Sequence, residues 1–167
     1  MLDEIVEVSL HAIGPHVGLD CQVSNWALVD GQVCYLDVGT PMLRDASGRD
    51  RLDIAILATS VPWVLRPLTV RVVGPQLLAP YHDPRRALLD AAGNLIRERL
   101  DRWIGPFLER ANHRLDRELT APEVHRFYRW NARTYAALQA VRKLDRAWQS
   151  RVRHRPYGFL LPEHIER

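Results

Sequence analysis

The chain has 167 residues, 47% hydrophobic and 26% charged, which fits one folded domain with a buried core and excludes a disordered or fibrous chain. Its formal net charge of +3 is carried almost wholly by arginine, Lys143 being the only lysine, so attraction to phosphate-bearing partners is allowed without being demanded. Cys21 and Cys34 are too few for a disulfide framework, and no secretory signal opens the chain; the most apolar stretch, 52–73, is broken by Asp53, Pro62, Arg66 and Pro67. A cytoplasmic protein without a membrane segment is the reading these features support.

Leu2, Ile5, Val6, Leu10 and Ile13 recur at helical spacing and Gly14-Pro15 ends the pattern, so an amphipathic helix is predicted over 1–15. Two short β-prone segments follow, 26–29 and 33–36, and Asp30-Gly31-Gln32 between them is a hairpin signal. Gly39-Thr40-Pro41 breaks the strand pattern, and Asp45-Ala46-Ser47-Gly48 reads as an exposed turn. Everything beyond is read as helical. The apolar segment 52–57 is a short buried helix, and Ser60 with Pro62 caps and starts another. Longer helices are predicted over 84–103, after Pro106, and over 120–153, the last opened by the capping box Thr120-Ala121-Pro122-Glu123. The proline-rich, apolar tail 155–162 is expected to pack across the domain. The fold class predicted is mainly α with a small β-hairpin, in one domain of three parts: a first helix (1–15), a loop and hairpin region (16–41) and a helical subdomain with tail (49–167).

Asp20 and Asn25 stand five residues apart in the loop before the hairpin, and Asp37-Val38-Gly39 ends it. In this order and spacing the segment resembles the His-x-Asp-x-x-x-x-Asn loop, hairpin and Asp-Phe-Gly-like turn of protein kinases and aminoglycoside phosphotransferases. The resemblance implies the large, C-terminal lobe of a protein-kinase-like fold, with Mg²⁺ and ATP as cofactors. It makes Asp20 the catalytic base that takes the acceptor's proton, and Asn25 with Asp37 the ligands of a Mg²⁺ under the nucleotide phosphates. Gly39 would let the backbone turn behind Asp37, and Asp53, in a Leu52-Asp53-Ile54-Ala55 helix start similar to that of the phosphotransferases, would brace the catalytic loop from below or simply open its helix. The bland alternative is a plain hairpin in which Asp20 and Asn25 serve as turn residues.

The sequence departs from the pattern at two places. Gly18 stands where a histidine is usual, so the loop is expected to be organised differently. No Gly-rich loop and no lysine-bearing strand precede it, and Lys143 falls in the last predicted helix; the small lobe that clamps the nucleotide is therefore expected to be missing, and this chain alone to be inactive. It reads either as a fragment or as a half-kinase, and the rival function is a non-catalytic, pseudokinase-type interaction module. The first helix with Trp26 and Tyr35 would border the vacant lobe interface, where a small lobe, a partner protein or a second copy would sit.

The seven histidines show no metal-ligand spacing, the serines no nucleophile-elbow setting, and Cys21 is read as a packing residue. The cluster Arg151-Val152-Arg153-His154-Arg155 is read as a helix end rather than a nucleic-acid surface. The pairs Asp90 with Asn94 and Arg97 with Asp101 are read as surface contacts at i,i+4 spacing, and Trp103, Trp130, Trp148 and Tyr135 as helix-packing aromatics.

Overall fold

A computed structural model describes residues 1–39, 42–58, 61–62 and 65–154. The expectations for Thr40-Pro41, for a cap at Ser60 and for the tail 155–162 lie outside these residues. The architecture is mainly helical with two small antiparallel sheets. None of the described helices is long and apolar enough to cross a membrane. The chain groups into two compact units, residues 1–52 with 76–128, and residues 53–75 with those from 129 onward.

The first unit holds the core. Helix α1 (Leu2–Ala12) buries Ile5, Val6 and Ser9, and stops where Ile13 turns extended. Strand β1 (Val17–Gly18) leads to a 3₁₀ turn, Val23–Asn25, and then to β2 (Trp26–Val29) and β3 (Gln32–Tyr35). The two-residue turn between β2 and β3 has φ of 50° at Asp30 and 81° at Gly31, the left-handed pair that matches the twist of a hairpin. Gly31→Ala is expected to cost about 1 kcal/mol, read as a lower urea midpoint at unchanged slope, because alanine meets the left-handed penalty that glycine avoids.

Strand β4 (Met42–Leu43) returns to β1, with Gly18 opposite Met42 and Val17 opposite Leu43. Sequence periodicity cannot announce two-residue strands, and this closure was not predicted. The next turn forms as expected, the Asp45 carboxylate accepting from the Ser47 and Arg49 amides around Gly48.

Helix α5 (Pro84–Arg97) starts under an Asp83 cap that accepts from Arg86 N, and buries Leu88, Ala91, Ala92 and Leu95. It ends before the predicted boundary; Asp101–Trp103 is a separate 3₁₀ turn, and α6 (Ile104–Asn112) follows. Helices α1, α5 and α6 pack on one another around Phe107, Leu88 and Val6, closed by Leu119 and Val124. Burying about a dozen such side chains at roughly 1.5–3 kcal/mol each is the main cohesive force of this unit.

Helix α7 (Ala121–Arg151) opens as predicted, with Thr120 Oγ1 accepting from Glu123 N at 3.4 Å. Glu123 also does something the capping box does not require: it takes a two-pronged hydrogen bond from Arg85, whose guanidinium reaches the Arg117 and Glu118 carbonyls as well.

In the second unit, α2 (Ile54–Ala58) is short, and α3 (Arg66–Leu68) and a π-helical turn (Thr69–Val73) run on without a break into α4 (Gly74–Leu78), whose last three residues belong to the first unit. A side chain at Gly74 would collide with Ile54, which accounts for glycine there. Trp130 and Trp148 on α7 are exposed, as is Trp103 in the first unit, contrary to their reading as packing aromatics. Helical spacing places an aromatic on a face without saying whether anything covers that face.

Candidate functional site

All of the candidate site except Asp53 is built in the first unit. Asp20 follows β1, and its carboxylate accepts from Gln22 N at 3.1 Å, an Asx turn that bends the chain. Asn25 closes the loop: its Nδ2 donates to the Asp20 carbonyl at 3.1 Å and its backbone N to the Gln22 carbonyl at 2.9 Å. Leu36 N then donates to the Asn25 carbonyl at 2.8 Å, which carries the hairpin pairing one step past Trp26 and Tyr35 and sets Asp37 just beyond Asn25. Because β4 returns to β1 after Asp37, the three predicted residues are held at one end of a closed loop.

The electrostatics agree with that proximity. Burial raises the Asp20 pKa above the ordinary carboxylate value, the Gln22 amide opposes it, and the Asp37 charge raises it further. Tyr35 is pushed up to about 12 by burial and by the Asp37 and Asp20 charges. Asp37 forms no ion pair among the described residues.

Sequence reasoning missed the support beneath this loop. Asn94, read as a surface residue, is 4% exposed, and its Oδ1 accepts from Val23 N at 3.0 Å. Its Nδ2 donates to Gln22 Oε1 at 3.4 Å, and Gln22 Oε1 also accepts from Arg97 Nη2. Gln22 Nε2 faces Asp90 Oδ2 at 3.5 Å. Asp90, Asn94 and Arg97, at i, i+4 and i+7, thus form one polar stripe on α5 that grips residues 22–23. Arg97 pairs with Gln22 and Glu98 instead of Asp101, because α5 ends at Arg97. In the folded chain the stripe lies next to the apolar positions Ala91 and Leu95, so its polar side chains reach the core's edge.

Burial pushes Asp90 up to about 6, with the Asp20 charge adding to it and Gln22 and Arg97 opposing. Tyr81 is raised as well, mainly by burial, then by Asp90 and Asp20. Asp20, Asp37, Asp90, Tyr35 and Tyr81 therefore feel one another, with Arg97 the cation that tempers them.

Two expectations change. Trp26, assigned to an interface border, is 7% exposed and packs edge-on against Tyr35 with ring centroids 5.1 Å apart. Gly39 keeps a φ outside the left-handed region, and among the described residues a side chain there would meet Asp37 Oδ1 alone, at an ordinary contact distance of 3.8 Å. Asp53 is exposed and accepts from Ala55 N at 2.9 Å, the helix-opening contact that was the simpler of its two readings. Cys21 is a packing residue, buried with its thiol pushed up to about 12.

Among the described residues no three His, Cys, Asp or Glu side chains gather to hold a metal by themselves. Asn25 and Asp37 offer two hard oxygen donors, the protein share suited to a Mg²⁺ that completes its shell with water and phosphate.

The profile of a family of unknown function, DUF6206, matches residues 6–146, and the chain belongs to that family. No curated protein and no solved structure matches it.

Proposed function

We propose that this member of the DUF6206 family is the large-lobe half of a kinase-like phosphotransferase, competent to hold Mg²⁺·ATP at Asn25 and Asp37 and dependent on a small lobe for turnover. The observation that carries the reading is the closed loop: Asn25 tied to the Asp20 carbonyl, Asp37 next along the hairpin, and β4 returning to β1. A bare turn would not need Asp20, Asn25 and Asp37 at one end of so constrained a loop.

Asp20 is the base. Its carboxylate is half-buried and burial raises its pKa, which strengthens its hold on a proton taken from an acceptor hydroxyl. Asn25 spends its amide nitrogen on the loop and keeps Oδ1 for the cation. Bound Mg²⁺ would neutralise phosphate charge; the chain's own work is to fix Asp20 relative to Asn25 and to hold the acceptor's proton. The resemblance puts the nucleotide-clamping lysine on a small-lobe strand, whereas Lys143 lies within α7, so turnover is expected to require a small lobe.

The test is binding. Mn²⁺ taken up with ATP, followed by water proton relaxation, is expected for the wild type and weakened about tenfold by Asp37→Asn, while Asp20→Asn changes it little because Asp20 faces the acceptor. Where a small lobe is supplied, Asp20→Ala and Asp37→Ala should each abolish turnover. Unchanged binding in Asp37→Asn would sink the metal assignment.

A second reading, the non-catalytic interaction module, draws on the exposed Leu28, Val29, Leu36 and Val38 of the hairpin. Absence of Mn²⁺·ATP uptake by the wild type would favour it.

A further inference from the structure

We infer that His82 is the positioning residue for the entry to the candidate catalytic loop: its imidazole, buried against Gly18, holds the Gly14–Leu19 segment so that Asp20 is presented at a fixed place. The inference rests on the phosphotransferase reading for what that placement serves, and on contacts alone for the placement itself.

The contacts converge from two consecutive residues. The Tyr81 carbonyl accepts from Leu19 N at 3.1 Å, and His82 Nδ1 lies 3.3 Å from the Gly14 carbonyl. Since a carbonyl only accepts, Nδ1 carries the proton. One short turn, Ala79–His82, thereby grips both ends of the segment that delivers Asp20.

The ring also explains residue 18. A Cβ there would stand 3.0 Å from His82 Nε2, 3.1 Å from Cε1 and 3.0 Å from Met42 Cβ, so any side chain at 18 would press on the imidazole and require it to give by a few tenths of an ångström. Where related patterns carry histidine, this chain carries none, and an imidazole comes against the same position from residue 82.

The other face of the ring reaches the turn after β4. Nε2 is buried without a hydrogen-bond partner and lies 3.6 Å from Asp50 Oδ1, which accepts from Arg44 Nε at 2.8 Å. The groups around His82 are the Gly14 and Val17 backbone, the Asp50 carboxylate and the Arg44 guanidinium; burial outweighs the acceptors and lowers its pKa. A neutral ring thus wedges between β1 and the Arg44–Asp50 pair.

A residue that merely fills the core, once removed, loosens the whole unit; a positioning residue loosens its own segment. Amide hydrogen exchange on the full chain separates the two. His82→Ala is expected to speed exchange at Gly14 and Leu19 by about tenfold or more, while Leu88 and Leu95 of α5 keep their rates. His82→Gln, whose amide still donates, should recover at least about half of that protection on a logarithmic scale. Where a small lobe is supplied, turnover should fall in His82→Ala and return in His82→Gln, while Mn²⁺·ATP uptake, held by Asn25 and Asp37, changes little.

Equal acceleration in α5, or unchanged exchange at Leu19, would overturn the inference. If His82→Ala fails to fold, Gly18→Ala serves instead: it presses on the same ring, and unaltered Leu19 exchange in that variant would also overturn it. A wild type that takes up no Mn²⁺·ATP removes the phosphotransferase reading, while the exchange rates still decide the place of His82.

Discussion

Asn94→Ala is expected to destabilise the protein by about 3 kcal/mol and to free residues 22–25 from α5. The side chain is 4% exposed, so no water stands ready to replace it when Val23 N loses its acceptor. An unsatisfied buried amide costs about 1–3 kcal/mol, and the void left by the truncated side chain adds to that. The urea midpoint should fall at unchanged slope, and Val23 should exchange faster than its neighbours on the hairpin.

Asn94→Asp sharpens the test. It keeps an oxygen for Val23 but loses the amide that donates to Gln22, and adds a charge beside Asp90. Its loss should therefore be greatest at neutral pH and should lessen as the carboxyls take up protons. An Asn94→Ala protein as stable as the wild type, with Val23 exchange unaltered, would mean that α5 does not support the loop.

How far the sequence reached follows from how local each cause is. Helix α1, the β2–β3 hairpin and the start of α7 are written in consecutive residues: an apolar stripe ending at Gly14-Pro15, an Asp30-Gly31 turn, a Thr120 cap. The turn contacts of Asp20 and Asn25, which the plain-hairpin alternative named, were within reach as well, because they span only two to five residues. The pieces that escaped are those fixed from a distance. Val23 meets Asn94 across 71 positions, and His82 meets Gly14 across 68, so no window along the chain contains both partners. Polar residues at i,i+4 spacing look the same in sequence whether they face water or the underside of a loop, and here the loop takes Asn94 out of solvent. The pairing of β1 with β4 is too short for alternation to register.

Asp90→Asn is expected to raise stability at pH 8 by about 2–3 kcal/mol, with a gain that shrinks on acidification. Burial lifts the Asp90 pKa to about 6 from an ordinary value of 3.8, so the folded protein binds this proton more tightly than the unfolded chain does. The ionised group accordingly costs stability at all pH values above about 6. That cost falls as pH drops from about 6 towards 3.8, where both states become protonated, and asparagine never incurs it.

The substitution also leaves an oxygen for Gln22 Nε2, so the grip of α5 on the loop survives. Urea titrations of both proteins between pH 4 and 8 should converge at the acid end. Parallel curves would show that Asp90 is no more costly folded than unfolded. If Asp90 serves only the fold, Asp90→Asn should gain stability and keep Mn²⁺·ATP uptake unchanged. If it belongs to the charge set around Asp20 and Asp37, the same gain should come with altered uptake.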